Sequence, residues 1–152
     1  MKPNTNSQSL AKVQTHLAAE CFNKLFIGGQ FVDPIDGEKL PTYYPATGEL
    51  LHDFPRGKAN DVESAIAAAE TAWAEGTWAG MAAADRAKIV AKMAQGIEDN
   101  IEMLAEIEAA DVGKPFRQAA MALGGAAAEG KYWCSLGVAL DAEQDTPVNS
   151  GG

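Results

Sequence analysis

Apolar positions along this chain change their spacing about a third of the way in. Before residue 58 they come in short clusters separated by turn residues. Leu25-Phe26-Ile27 and Gln30-Phe31-Val32 flank Gly28-Gly29, the pattern of two strands joined by a tight hairpin. Asp33-Pro34-Ile35-Asp36-Gly37 reads as a loop, and Leu40 to Tyr44 extends again. Pro45-Ala46-Thr47-Gly48 is a turn, because proline presets φ and glycine accepts positive φ. Leu50 to Phe54 is the fourth strand candidate, and Pro55-Arg56-Gly57 ends it.

After residue 58 the spacing becomes helical. Val62, Ile66, Ala69 and Trp73 form one stripe, with Asn60 and Glu63 as a capping box and Gly76 as the stop. A second helix is predicted from Ala83 to Glu98, with Ala82, Ile89, Met93 and Ile97 inward and Arg86, Lys88 and Lys92 toward water. Asp99 and Glu102 suggest a second capping box, opening a third helix from Ile101 to Ala110 with Ile101, Leu104 and Ile107 inward. Gly113 suits the left-handed position past its end, and Pro115 sits where a helix cannot continue. A fourth helix should run from Phe116 to about Leu136, weakened by Gly124-Gly125 and Gly130. Asp141 to Gly152 reads as an extended tail. Residues 1–24 are polar: Met1 to Ser9 read as a frayed leader, and Leu10 to Cys21 has weak helical character.

Composition supports this division, since 23 of the 29 alanines lie between Ala59 and Ala128, and alanine has the best helix propensity. With 152 residues and 47% hydrophobic content, one compact domain is expected. The net charge of −9 argues against a phosphate-backbone partner. No apolar run approaches the roughly 20 residues needed to cross a bilayer as a helix. The leader lacks the apolar stretch of a secretory signal, so cytoplasmic residence is the default expectation. Cys21 and Cys134 are far apart in sequence and sit in no metal-ligand spacing, as expected of reduced thiols.

Candidate chemistry is sparse. Gly125-Ala126-Ala127-Ala128-Glu129-Gly130-Lys131-Tyr132 has the glycine and lysine spacing of a phosphate-binding loop. Tyr132, however, stands where a Ser or Thr must hold Mg²⁺, and the preceding segment reads as helix. Cys134 would need a base to act as a nucleophile. The histidines, His16 and His52, are not fixed beside it by any sequence feature. Asp33 and Asp36 lack the spacing of a calcium loop. Trp73, Trp78 and Trp133 are expected to be core.

An ordered series of motifs carries more information. Leu25-Phe26-Ile27-Gly28-Gly29-Gln30-Phe31-Val32 is followed by Pro45-Ala46-Thr47-Gly48-Glu49 and Asp61-Val62-Glu63-Ser64-Ala65-Ile66-Ala67-Ala68-Ala69. Trp78-Ala79, Arg86 and Glu108-Ala109-Ala110-Asp111-Val112-Gly113-Lys114-Pro115 complete it. From Leu25 onward the chain resembles the N-terminal portion of the aldehyde dehydrogenase superfamily.

That resemblance implies an α/β fold, helix-rich over this segment with short N-terminal hairpin strands. It implies residues 1–24 as a flexible or helical leader and 25–152 as the N-terminal part of a cofactor-binding domain. It further implies NAD(P)-dependent oxidation of an aldehyde to a carboxylic acid in a homo-oligomer. The family's cofactor-binding glycine motif, catalytic glutamate and catalytic cysteine lie downstream of the segment matched here. The segment alone is therefore expected to be inactive and to bind no NAD or NADP, and neither Cys21 nor Cys134 takes the catalytic role. By the same resemblance, backbone oxygens of Thr42 and Tyr43 and the Asp111 carboxylate correspond to ligands of a monovalent cation, Na⁺ or K⁺. Gly137 to Val148 corresponds to the start of an extended oligomerisation arm that pairs with a neighbouring subunit. The alternative reading is a non-catalytic paralogue that docks on a full-length subunit.

Overall fold

A computed structural model describes residues 5–144, with side chains described for residues 9–140. The chain forms α1 (Thr5–Leu17), α2 (Glu20–Asn23), β1 (Leu25–Ile27), β2 (Gln30–Val32), β3 (Lys39–Tyr43) and β4 (Leu50–Pro55). Four longer helices follow: α3 (Ala59–Glu75), α4 (Ala83–Asp99), α5 (Ile101–Val112) and α6 (Phe116–Gln144).

The strands make two separate antiparallel pairs rather than one sheet. β1 and β2 pair Leu25 with Val32, Phe26 with Phe31 and Ile27 with Gln30. Gly28 and Gly29 close the hairpin at φ 59° and 78°, which two glycines adopt without Cβ strain. The Phe26 and Phe31 rings meet across it at 5.1 Å between centroids. β3 and β4 pair from Lys39–Pro55 to Thr42–His52, then slip so that Tyr43 faces Leu50. Leu51 is the extra residue of this bulge, and its side chain is only 2% exposed.

The main core sits where α1, β4 and α5 meet. Leu10, Val13 and Leu17 are buried with Leu51 and Ala110, and Phe22, Tyr44, Phe54 and Ile107 pack around them. The helical character expected from Leu10 is present in α1, which begins earlier, at Thr5, inside the stretch expected to fray. Leu10, Val13 and Leu17 recur at spacings of three and four, a stripe short enough to pass for polar sequence yet wide enough to dock. Polar bonds reinforce the docking. Gln14 Nε2 donates to the Leu50 carbonyl at 3.0 Å, while Glu106 of α5 receives Lys12 and lies 3.2 Å from His16 Nε2.

A second packed region joins α4, α5 and α6 through small residues. Ala94, Ala105, Ala119 and Ala127 are buried. A Cβ added at Gly130 would stand 3.6 Å from the Ala94 Cβ, and one at Gly124 would stand 3.7 Å from Ile101 Cδ1. Glycine and alanine here let helix backbones approach closely instead of breaking α6.

Three local expectations change. α3 is capped by Asp61 rather than by Asn60 and Glu63: its Oδ2 accepts the Lys58 backbone N–H at 2.9 Å. No side chain caps the start of α5 at Asn100, so the Asp99–Glu102 capping box is absent. The helix predicted to stop near Leu136 continues to Gln144. This overturns the extended reading for residues 137–144, the first two thirds of the expected oligomerisation arm. A single glycine costs a helix only about 1 kcal/mol relative to alanine. The helix is already nucleated there, and Val138, Ala139, Leu140, Ala142, Glu143 and Gln144 propagate it cheaply. Residues 145–152 lie outside the described residues.

Candidate functional site

Two of the motifs singled out in the sequence meet in space. The Pro45–Gly48 turn is closed by Gly48 N–H donating to the Tyr44 carbonyl at 2.8 Å, and Tyr44 N–H donates to the Glu49 carbonyl at 2.8 Å. Gly48 sits at φ 74°, the left-handed region that glycine allows. At the end of α5, Gly113 adopts φ 72° and donates to the Ala109 carbonyl, a glycine-terminated helix end. The turn and the helix end abut: a Cβ added at Gly113 would stand 3.4 Å from the Pro45 Cβ.

This abutment brings Thr42 and Asp111 together through the Thr42 hydroxyl, a side-chain atom rather than the backbone oxygen that the resemblance implied. Thr42 Oγ1 donates to Asp111 Oδ1 at 3.1 Å across 69 residues of sequence. Thr42 is half-buried, while Tyr43 and Asp111 are exposed. Tyr43 falls on the far side of the ladder slip from Thr42. A carboxylate, a hydroxyl and strand carbonyls are the hard oxygens a Na⁺ or K⁺ ion prefers, so the donor chemistry fits. Among the described residues, no group of three or more His, Cys, Asp or Glu gathers to hold a metal.

Beside this junction a cleft of about 550 Å³ opens between α1 and α5, bounded by Lys12, Tyr44, Glu106, Gly113, Lys114 and Phe116. Its charges are internally paired: Lys12 binds Glu106, and Lys114 binds Glu108. The Lys12 ammonium holds the Glu106 carboxyl below its ordinary 4.5, against the opposing effect of burial.

The remaining candidates separate. Gly125 to Lys131 lies within α6, with no strand before it and no loop. Lys131 Nζ there binds Glu98 Oε2 at 2.6 Å on α4, so the lysine joins two helices. Cys21 is exposed. Cys134 lines a groove of about 310 Å³ with Trp78, Arg86, Val90 and Trp133. His16 sits on Glu106, and His52 lies edge-on to Phe54 at 4.8 Å, so both histidines are engaged away from that groove. Asp36 and Glu38 both bind Lys58, and Glu38 also pairs with Arg56 at 3.5 Å, so two cationic side chains face these two carboxylates.

Sequence reasoning missed Asp61. Only 4% exposed, it accepts the Lys58 N–H through Oδ2 and the Ile35 N–H through Oδ1 at 3.0 Å. These two donors, Lys58 first, hold its carboxyl below the ordinary 3.8. Asp61 thus ties the loop after β2 to the start of α3. An aspartate at the third helical position was the available signal, and it was outranked by the neighbouring Asn60–Glu63 pair. The expectation of core tryptophans is also corrected: Trp73 is 80% exposed and Trp133 is 62% exposed.

The aldehyde dehydrogenase family profile matches residues 31–151, and the chain belongs to that family. It is 41% identical over 99 residues to the mitochondrial benzaldehyde dehydrogenase of Antirrhinum majus, covering 65% of this chain and 18% of that protein. It is 36% identical over 128 residues to the chloroplastic betaine aldehyde dehydrogenase of Amaranthus hypochondriacus, covering 82% of this chain and 26% of that one. The crystal structure of an NAD-dependent aldehyde dehydrogenase from Sinorhizobium meliloti superimposes with a TM-score of 0.75 at 32% identity, covering 82% of this chain and 25% of that one. The chain thus spans about a quarter or less of the length of these relatives. Its fold is that of a portion of an aldehyde dehydrogenase, helix-rich with short antiparallel strand pairs. No described helix is long and apolar enough to cross a membrane.

Proposed function

We propose that this chain is the N-terminal scaffold segment of an NAD(P)-dependent aldehyde dehydrogenase that oxidises an aldehyde to a carboxylic acid, and that it is inactive alone. Residues 1–24 act as its leader, and residues 25–152 as the first part of the cofactor-binding domain. The family match over residues 31–151 carries this reading. The side chains support it. Cys134 lines a groove with Trp78, Arg86, Val90 and Trp133, and neither His16, on Glu106, nor His52, against Phe54, lines it, so the groove offers that thiol no imidazole base. The apolar stripes of α3 and α6 are uncovered among the described residues, which suits a piece that leans on a larger body. Thr42, Tyr43 and Asp111 would hold a Na⁺ or K⁺ ion at the junction of β3 and α5, bracing the Pro45 turn against the α5 end. The proposed residence is cytoplasmic, although the two plant relatives are organellar by name.

The deciding experiment is an assay of the purified 152-residue chain, free of any longer homologue, for aldehyde-dependent NADH formation. No turnover and strong binding of a hydrophobic dye such as ANS are expected. NADH formation would overturn the reading. Melting in NaCl or KCl against choline chloride tests the cation, with a shift expected in the wild type and none in Asp111→Ala.

The exposed stripes also favour a second reading, a non-catalytic paralogue that docks on a full-length subunit. Co-purification with such a subunit is its test. Strand pairing through residues 137–144 has no place in that reading, because those residues are helical.

A further inference from the structure

We draw no further inference here: the strongest candidate, the exposed apolar face of α3 around Val62, Ile66 and Trp73 with the small Trp73–Trp78 cradle beside it, belongs to the surface already read as leaning on a larger body, and nothing in the structure shows what covers it.

Discussion

Helices α1 and α3 both form, but they differ in how far this chain covers their apolar sides. α1 is polar in composition, yet it buries Leu10, Val13 and Leu17 against β4 and α5. α3 has the cleaner apolar stripe, yet Val62 and Ile66 are each 53% exposed and Trp73 is 80% exposed. Small side chains stand where α3 approaches the first hairpin: a Cβ added at Gly28 would stand 3.7 Å from the Ala68 Cβ. Periodicity reports that a helix has an apolar side. It does not report whether the covering surface is on the same polypeptide, and apolar area stabilises a fold only where it is covered.

The sharpest way to break this contrast is to truncate one side chain in each region. Leu17→Ala removes a fully buried side chain of α1, with an expected loss of about 2–5 kcal/mol in urea unfolding. A loss below that range would mean α1 is loosely docked.

Asp61 tests how the start of α3 is held to the loop after β2, as a function of pH. Its folded-state value lies below the ordinary 3.8. Its stabilisation is therefore fully present above 3.8 and is lost as the pH falls through the lowered folded-state value. In Asp61→Asn this acid-side loss should flatten, and the Ile35 and Lys58 amides should exchange faster with solvent.

Gly130→Ala sharpens the account of the α4–α6 seam. The new methyl would make ordinary contact with Ala94 at 3.6 Å, and the substitution should raise stability by about 0.5–1 kcal/mol. A loss would show the seam to be tighter than described. The nearby Lys131–Glu98 pair has both side chains well over a third exposed. A double-mutant cycle should return about 0.2–1 kcal/mol at low salt, shrinking as salt rises. ATP should not protect either variant or the parent against heat. The smallest effect is expected for Trp73→Ala, within about 0.5 kcal/mol. A larger loss in the isolated chain would mean that the α3 face is covered after all.

Local turn chemistry made much of the fold legible. Gly28-Gly29, the Pro45–Gly48 turn and Gly113-Lys114-Pro115 were placed correctly because each demands a backbone conformation few residues adopt. The limits of α4 agree within a residue, and those of α5 within two, for similar reasons. The end of α6 was placed near Leu136, short of Gln144, although a glycine such as Gly137 is only a modest cost within an established helix. Tertiary pairings left no local trace: nothing near Asp61 announces its bond to Ile35, and nothing in α1 announces Glu106. For the candidate site, the resemblance named Thr42, Tyr43 and Asp111 as a cation set, and the structure shows a side-chain hydrogen bond between the first and the last of them. The residues alone would not have joined them across that separation.

The length of α6 has a mechanical consequence. At about 1.5 Å per residue its 29 residues reach roughly 44 Å. α4 lies alongside, with Ala94 near Gly130 and the first turns of α4 lining the same groove as Gly137. α4 begins at Ala83, eleven residues before Ala94, whereas α6 runs fourteen residues past Gly130, so about three residues overhang the end of α4, roughly 5 Å. That overhang is a cantilever: a load at its tip arrives at the alanine seam as a bending moment, carried by a stiff rod whose backbone hydrogen bonds run along its own axis.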